Sequence, residues 1–163
     1  MIKFPNLIDQ FDIDYAFNLY KNSTNTVYVD GVRRDRYLTS NRGKFILSTY
    51  NSEEFKFLWE KIKDRLEGYT PVDYRILMYR INCSIHNHID GSKPGRPKTN
   101  CSLIIQMSEH SKYTGGEVIV ENELIDLNPG DGVLYFYGEE HEVKKIKSGQ
   151  RHVINLRLFK EDT

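Results

Sequence analysis

The sequence predicts a mainly β chain: a jelly-roll barrel preceded by two helices. Three observations predict it. From residue 74 onward about eight short strand-like runs follow one another with turn residues between them. Before residue 74, two stretches repeat apolar residues at helical spacing. The 11 tyrosines and 8 phenylalanines suit half-buried sheet faces.

The N-terminal half holds the helices. Residues 3–8 read as a short extended entry. Asp12 can cap a helix over 13–21, with Tyr15, Ala16, Leu19 and Tyr20 on its apolar side, and Asn22-Ser23-Thr24-Asn25 ends it. Residues 26–30 alternate as a strand, Asp30-Gly31 marks a tight turn, and 32–37 form the return arm. That arm carries Arg33, Arg34 and Arg36. A solvated edge guarded by charge accounts for them. A segment that folds over a substrate is the competing reading. Asn51, with Glu54 three residues on, opens the second helix. Phe55, Leu58, Trp59, Ile62 and Leu66 make its apolar face, which reads as core packing, and Gly68 stops it.

The β-rich half begins with the run 74–89, which leads into His86-Asn87-His88-Ile89-Asp90. A Gly/Pro/Lys loop covers 90–99. Strands follow at 99–108, 115–121, 123–127, 133–137, 142–146 and 151–159. On the strand 99–108 Ser102, Ile104 and Gln106 share a face. On the last, Arg151, Val153, Asn155 and Arg157 face one way, and Ile154, Leu156 and Leu158 the other. The apolar set belongs against the helices, so the polar set faces the barrel interior.

At 163 residues the chain reads as a single domain over 1–163, with N-terminal support at 1–73 and a core barrel at 74–160. The 23 basic and 23 acidic residues balance, which argues against a chain-wide grip on nucleic acid. The start, Met1-Ile2-Lys3-Phe4-Pro5, lacks a signal-peptide apolar region, and no apolar run approaches the ~20 residues of a span. A cytoplasmic protein without a membrane partner is expected. Cys83 and Cys101 read as reduced core thiols. Oligomeric state is open.

In an extended chain alternate side chains share a face, so His88 and Asp90 point together and Ile89 turns back towards a core. An imidazole and a carboxylate from one strand are part of a two-His-one-carboxylate set, which leaves three positions open on a non-haem Fe(II). His141, at the start of another strand, can supply the second imidazole. His86 shares the parity of His88 and would give a His-x-His set instead. Zinc also takes imidazole and carboxylate, so Arg151 discriminates. A guanidinium on an interior strand needs an anionic partner, and it grips a carboxylate with two parallel bonds. A structural salt bridge to a glutamate is the plain alternative.

Taken together, His88-x-Asp90, Gly115-Gly116-Glu117, Pro129-Gly130 before the aromatic strand Leu134-Tyr135-Phe136, His141-Glu142-Val143 and Gly149-Gln150-Arg151 resemble the 2-oxoglutarate- and Fe(II)-dependent dioxygenases, most closely the prolyl 4-hydroxylase-like branch. The resemblance is clear over 75–159. It implies a double-stranded β-helix, Fe(II) on His88, Asp90 and His141, 2-oxoglutarate anchored by Arg151, O2 as the other co-substrate, and room for ascorbate. The family often has a tyrosine near the co-substrate about where Tyr79 stands. Many relatives have a second tyrosine about where this chain has Gln106. Asn155, Arg157 and the hairpin arginines would face the prime substrate. The implied activity is hydroxylation of a C–H bond, prolyl-type on a peptide or protein. The alternatives are an oxygenase of nucleic-acid bases held by the basic hairpin with Lys93, Arg96 and Lys98, an oxygenase of a free amino acid or small metabolite, and a cupin-like binding protein without turnover. The basic hairpin and loop predict an anionic prime substrate.

Overall fold

The computed structural model describes residues 1–22, 26–29, 43–49, 53–91, 94–95 and 97–161. The chain runs β1 (Ile2–Phe4), α1 (Gln10–Asn22), β2 (Thr26–Val29), β3 (Gly43–Thr49), α2 (Glu53–Ile62) and β4 (Tyr69–Arg80). It continues through β5 (Ile85–His88), β6 (Cys101–Gln106), β7 (Tyr113–Gly115), β8 (Val118–Val120), β9 (Glu123–Ile125), β10 (Gly132–Phe136), β11 (His141–Val143) and β12 (Ile146–Lys160). The protein is mainly β, and its strand pairs are antiparallel. One sheet has the order β1-β10-β6-β12-β4-β3-β2, with β7 also paired to β12; the other has β5-β11-β8-β9.

Strand parity sorts the core into two clusters. Ile154, Leu156 and Leu158 join Tyr74, Ile76, Leu103, Ile105 and Leu134 with Ile13, Ala16, Phe55, Leu58 and Ile62 from the helices. The ring of Phe55 stacks on Tyr74 at 5.0 Å. Val153 faces the other way, with Tyr79, Ile104, Val133 and Tyr135 of the large sheet and Val118, Val120, Ile125 and Val143 of the small one. Each fully buried aliphatic side chain contributes roughly 1.5–3 kcal/mol, so a one-residue register slip in β12 would cost several such terms.

Several elements differ from expectation. Helix α1 starts before Asp12. The Asp12 N–H donates to Asp9 Oδ1 at 2.9 Å and the Asp9 N–H to Asp12 Oδ2 at 3.2 Å, so Asp9 is the cap and Asp12 its reciprocal partner. Asp12 is itself buried beside Lys61, Oδ1 to Nζ 3.1 Å. The buried side is therefore Asp12, Ile13, Ala16 and Tyr20, while Tyr15 is 40% exposed against Phe57. The partner of β2 is β3, with Val29 opposite Gly43, rather than the arm 32–37. Arg33, Arg34 and Arg36 lie outside the described residues. Strands β1, β2 and β3 extend the large sheet, and β4 runs from Tyr69 to Arg80 across positions 73 and 74.

The run 74–89 is two strands. Asn82 takes φ +70°, its N–H donates to the Ile146 carbonyl at 2.9 Å, and the Cys83 N–H donates to the Arg80 carbonyl at 2.8 Å. A left-handed residue is least costly at Asn or Gly. This turn carries the chain from the large sheet to the small one, where His88 pairs with His141. Cys83 and Cys101 are buried thiols. No described helix is long and apolar enough to cross a membrane.

Candidate metal centre

Antiparallel register sets His88, at the end of β5, directly opposite His141, at the start of β11. Their rings lie 4.2 Å apart, centroid to centroid. Asp90 follows β5 and reaches between them: Oδ1 is 3.4 Å from His88 Nε2 and Oδ2 is 3.7 Å from His141 Nε2. One ligand atom from each of the three residues fits within a 4.8 Å span.

The second nitrogen of each ring is already used. His88 Nδ1 is 2.8 Å from the His86 carbonyl oxygen, and His141 Nδ1 is 3.1 Å from the Glu139 carbonyl oxygen. A carbonyl only accepts, so each Nδ1 carries a proton, and each Nε2 faces Asp90. That second-sphere arrangement fixes a ligating tautomer. Ser102 Oγ donates to Asp90 Oδ2 at 3.3 Å from the large sheet, tying the carboxylate across the pocket. The Tyr135 ring packs on His141 at 4.2 Å. Burial disfavours the charged form of all three residues. For His141 burial prevails and lowers the pKa. For His88 the Asp90 carboxylate and the His86 carbonyl outweigh burial and raise it. For Asp90 the His88 bond and the His141 ring outweigh burial and lower it. Two imidazoles and an ionised carboxylate, with outer partners in place, fit a divalent first-row metal.

Two neighbours depart from expectation. Ile89 is 54% exposed rather than turned to a core, because β5 ends at His88. His86 is exposed, and its carbonyl, not its ring, serves the site.

Arg151 is 2% exposed, on the face of β12 that carries Val153 towards the small sheet. It stands opposite Tyr79 on β4, with its guanidinium carbon 5.7 Å from the ring centroid, and its Nε donates to Gln106 Oε1 at 3.1 Å. Among the described residues it has no ion pair with a carboxylate. Gln106 spends its amide N–H groups on the Ser108 carbonyl (2.7 Å) and the Tyr113 hydroxyl (3.0 Å). It therefore holds the guanidinium in place and keeps no amide group free for a ligand. Burial, offset in part by Arg151, pushes the Tyr79 hydroxyl up to about 12. The glycine pair also acquires a physical reason. Gly116 has φ +72°, and a Cβ there would strike Ile146 and lie 3.4 Å from the Arg151 Cδ.

Asn155 is buried on the same face, next in line towards Arg157. Arg157 does not point freely into the pocket. Its Nε donates to Asp73 Oδ2 at 2.7 Å and its Nη2 donates to the same oxygen. Sequence reading missed Asp73 and Arg75, which the interior parity of β4 places with Leu77 and Tyr79. Of the basic loop, Lys93 and Arg96 lie outside the described residues; Lys98 is exposed.

No family model matches the chain. Residues of the chain are 32% identical over 76 positions to a PKHD-type hydroxylase of Prochlorococcus marinus (strain MIT 9301), covering 44% of this chain and 34% of that protein. The chain thus spans about a third of the length of the curated relatives it matches. In structure it is similar to a 2OG-Fe(II) oxygenase-family oxidoreductase from Burkholderia pseudomallei, with TM-score 0.74 and 14% identity over 97% of this chain and 83% of that one. It is also similar to a prolyl hydroxylase from Trichoplax adhaerens in complex with a hypoxia-inducible-factor peptide, with TM-score 0.66 and 17% identity over 98% and 83%. At these identities the structural likeness is one of fold. The chain is thus similar in local sequence to PKHD-type hydroxylases and in fold to 2OG-Fe(II) oxygenases, prolyl hydroxylases included.

Proposed function

We propose that the protein is a 2-oxoglutarate- and Fe(II)-dependent dioxygenase that hydroxylates a C–H bond, prolyl-type, on a peptide or protein. The observation that carries this reading is the buried Arg151. It comes from β12 of the large sheet, on the face that carries Val153 towards the small sheet, whose β5 and β11 bear His88 and His141, and it lacks a carboxylate partner among the described residues. A plain metal site needs no such cation. A dicarboxylate co-substrate with one end at the metal needs a fixed guanidinium at the other.

In this reading His88, Asp90 and His141 hold Fe(II). When bound, iron and 2-oxoglutarate supply the oxidising chemistry through dioxygen. The residues of the chain bind, orient and exclude water. Gln106 and the Tyr79 ring fix Arg151, and Ser102 fixes Asp90. Asn155 borders the prime substrate, and Arg33, Arg34 and Arg36 would supply charge for it. Both helices cover the outer face of the large sheet, and the chain acts as one domain. The prolyl hydroxylase neighbour bound to a peptide supports a peptide substrate.

The test is conversion of 2-oxoglutarate to succinate by the purified protein, with and without Fe(II), in wild type and Arg151→Ala. Iron-dependent succinate in the wild type and little in the variant is expected. No succinate from the iron-loaded wild type would leave the cupin-like binding protein as the better reading.

A further inference from the structure

We propose that Arg75 is a carboxylate-recognition residue for the prime substrate. This rests on the oxygenase reading for the word substrate, but its geometry stands by itself. On the pocket face of β4 and β12, Arg75 lies opposite Asn155, and Asp73 opposite Arg157. Asp73 is committed to Arg157, which takes one of its oxygens with two N–H groups. Arg75 Nε stands 3.6 Å from the other oxygen, beyond hydrogen-bond reach. Both that nitrogen and that oxygen are buried without a hydrogen-bond partner. Two guanidinium groups and one carboxylate leave one positive charge on the wall.

That charge is poorly hydrated. The Arg75 side chain is 28% exposed, and burial lowers its pKa even with Asp73 beside it. An incompletely paired cation in a half-buried site gains most from an incoming anion. The co-substrate is not that anion. Asn155, across from Arg75, stands four residues along β12 from Arg151, about 13 Å at strand rise. The carboxylate carbons of 2-oxoglutarate are at most about 5 Å apart across four C–C bonds. A molecule anchored at Arg151 with its keto-acid end at the metal leaves Arg75 free. The group that meets Arg75 is a carboxylate close to the reacting carbon. It comes from a free amino acid or from an acidic residue beside the target in a peptide.

The experiment is arginine side-chain NMR on protein loaded with Zn(II), a diamagnetic stand-in for Fe(II). Addition of 2-oxoglutarate should shift the Arg151 Nε–H signal; its failure to do so counts against the oxygenase reading and leaves the next step readable. At saturating 2-oxoglutarate, acetate replaces chloride at constant ionic strength. The Arg75 Nε–H signal, assigned by its absence in Arg75→Gln, should shift along a saturating curve. A linear drift matching that of the exposed Arg65 would overturn the proposal. Competition identifies the source. L-proline against L-prolinamide tests the amino acid, and acetyl-Pro-Asp-amide against acetyl-Pro-Asn-amide tests the peptide. The acid member of one pair should displace acetate at least about tenfold better than its neutral partner, as one charge-assisted pair implies. Equal displacement by acid and amide in both pairs would also overturn it.

Discussion

Gln106 and Arg151 are joined across the large sheet by one hydrogen bond, Nε to Oε1 at 3.1 Å, and the Gln106 amide has no donor left over. Gln106→Glu is therefore not conservative. The new carboxylate would pair with Arg151 and set an oxygen against the Ser108 carbonyl. Affinity for 2-oxoglutarate should fall by about tenfold or more, while iron binding stays near wild type. Calorimetric titration with each ligand checks both halves. Unchanged 2-oxoglutarate affinity would mean that Gln106 does not position the guanidinium.

Arg151→Ala should weaken 2-oxoglutarate binding by roughly 30-fold or more, the scale for removing one partner of a buried charge pair. Arg151→Lys should recover only part of it. An ammonium can neither reproduce the fork nor accept the orientation set by Gln106 and Tyr79. Full recovery in Arg151→Lys would reduce the site to simple charge.

These partners differ in how far the sequence reveals them. His88-x-Asp90, His141 and Arg151 are legible because their chemistry is local and strand parity says where each side chain points. Gly115-Gly116 is legible as a string, but its reason appears only when the Lys145 carbonyl and the Ile146 side chain are seen against it. Asp73 and Arg157 are 84 residues apart, and only the pairing of β4 with β12 joins them. That pairing also reassigns the free charge from Arg157 to Arg75. Strand β3 had a signal in Phe45-Ile46-Leu47, but Asp30-Gly31 offered an earlier turn and drew the return arm to 32–37. The break at Asn82 was hidden because the residues on both sides suit a strand and only the left-handed φ divides them.

The three candidate ligands and their outer partner should separate by magnitude. His88→Ala, Asp90→Ala and His141→Ala should each lower iron affinity by at least about 100-fold. Ser102→Ala, which only releases Asp90 Oδ2, should cost about tenfold, within the range for outer partners. Circular dichroism should show a folded barrel in all four, since the cluster lies at the pocket and not in either apolar core. If an alanine variant at any of the three bound iron as tightly as wild type, that residue would not be a ligand.

Buried thiols and phenols, Cys101, Tyr79 and Tyr135 among them, give the fold an alkaline limit. Burial pushes the Cys101 thiol from an ordinary 9.0 to about 12, with Lys160 offsetting a little, and pushes the Tyr79 hydroxyl from 10.0 to about 12, with Arg151 offsetting. Both folded values lie above the unfolded ones, so between them the unfolded chain has released protons that the folded chain still holds. Their contribution to stability is complete below about pH 9 and is lost as pH rises towards 12. In the upper part of that window the free energy of unfolding should fall by about 1.4 kcal/mol per pH unit for each group. Urea titrations at stepped pH measure the slope. Tyr79→Phe removes one such group and should make the slope shallower by that amount. At pH 8 the native protein should leave the Cys101 thiol unreactive towards a disulfide reagent, and urea should release it. An unchanged slope in Tyr79→Phe would show that the phenol is not held protonated by the fold.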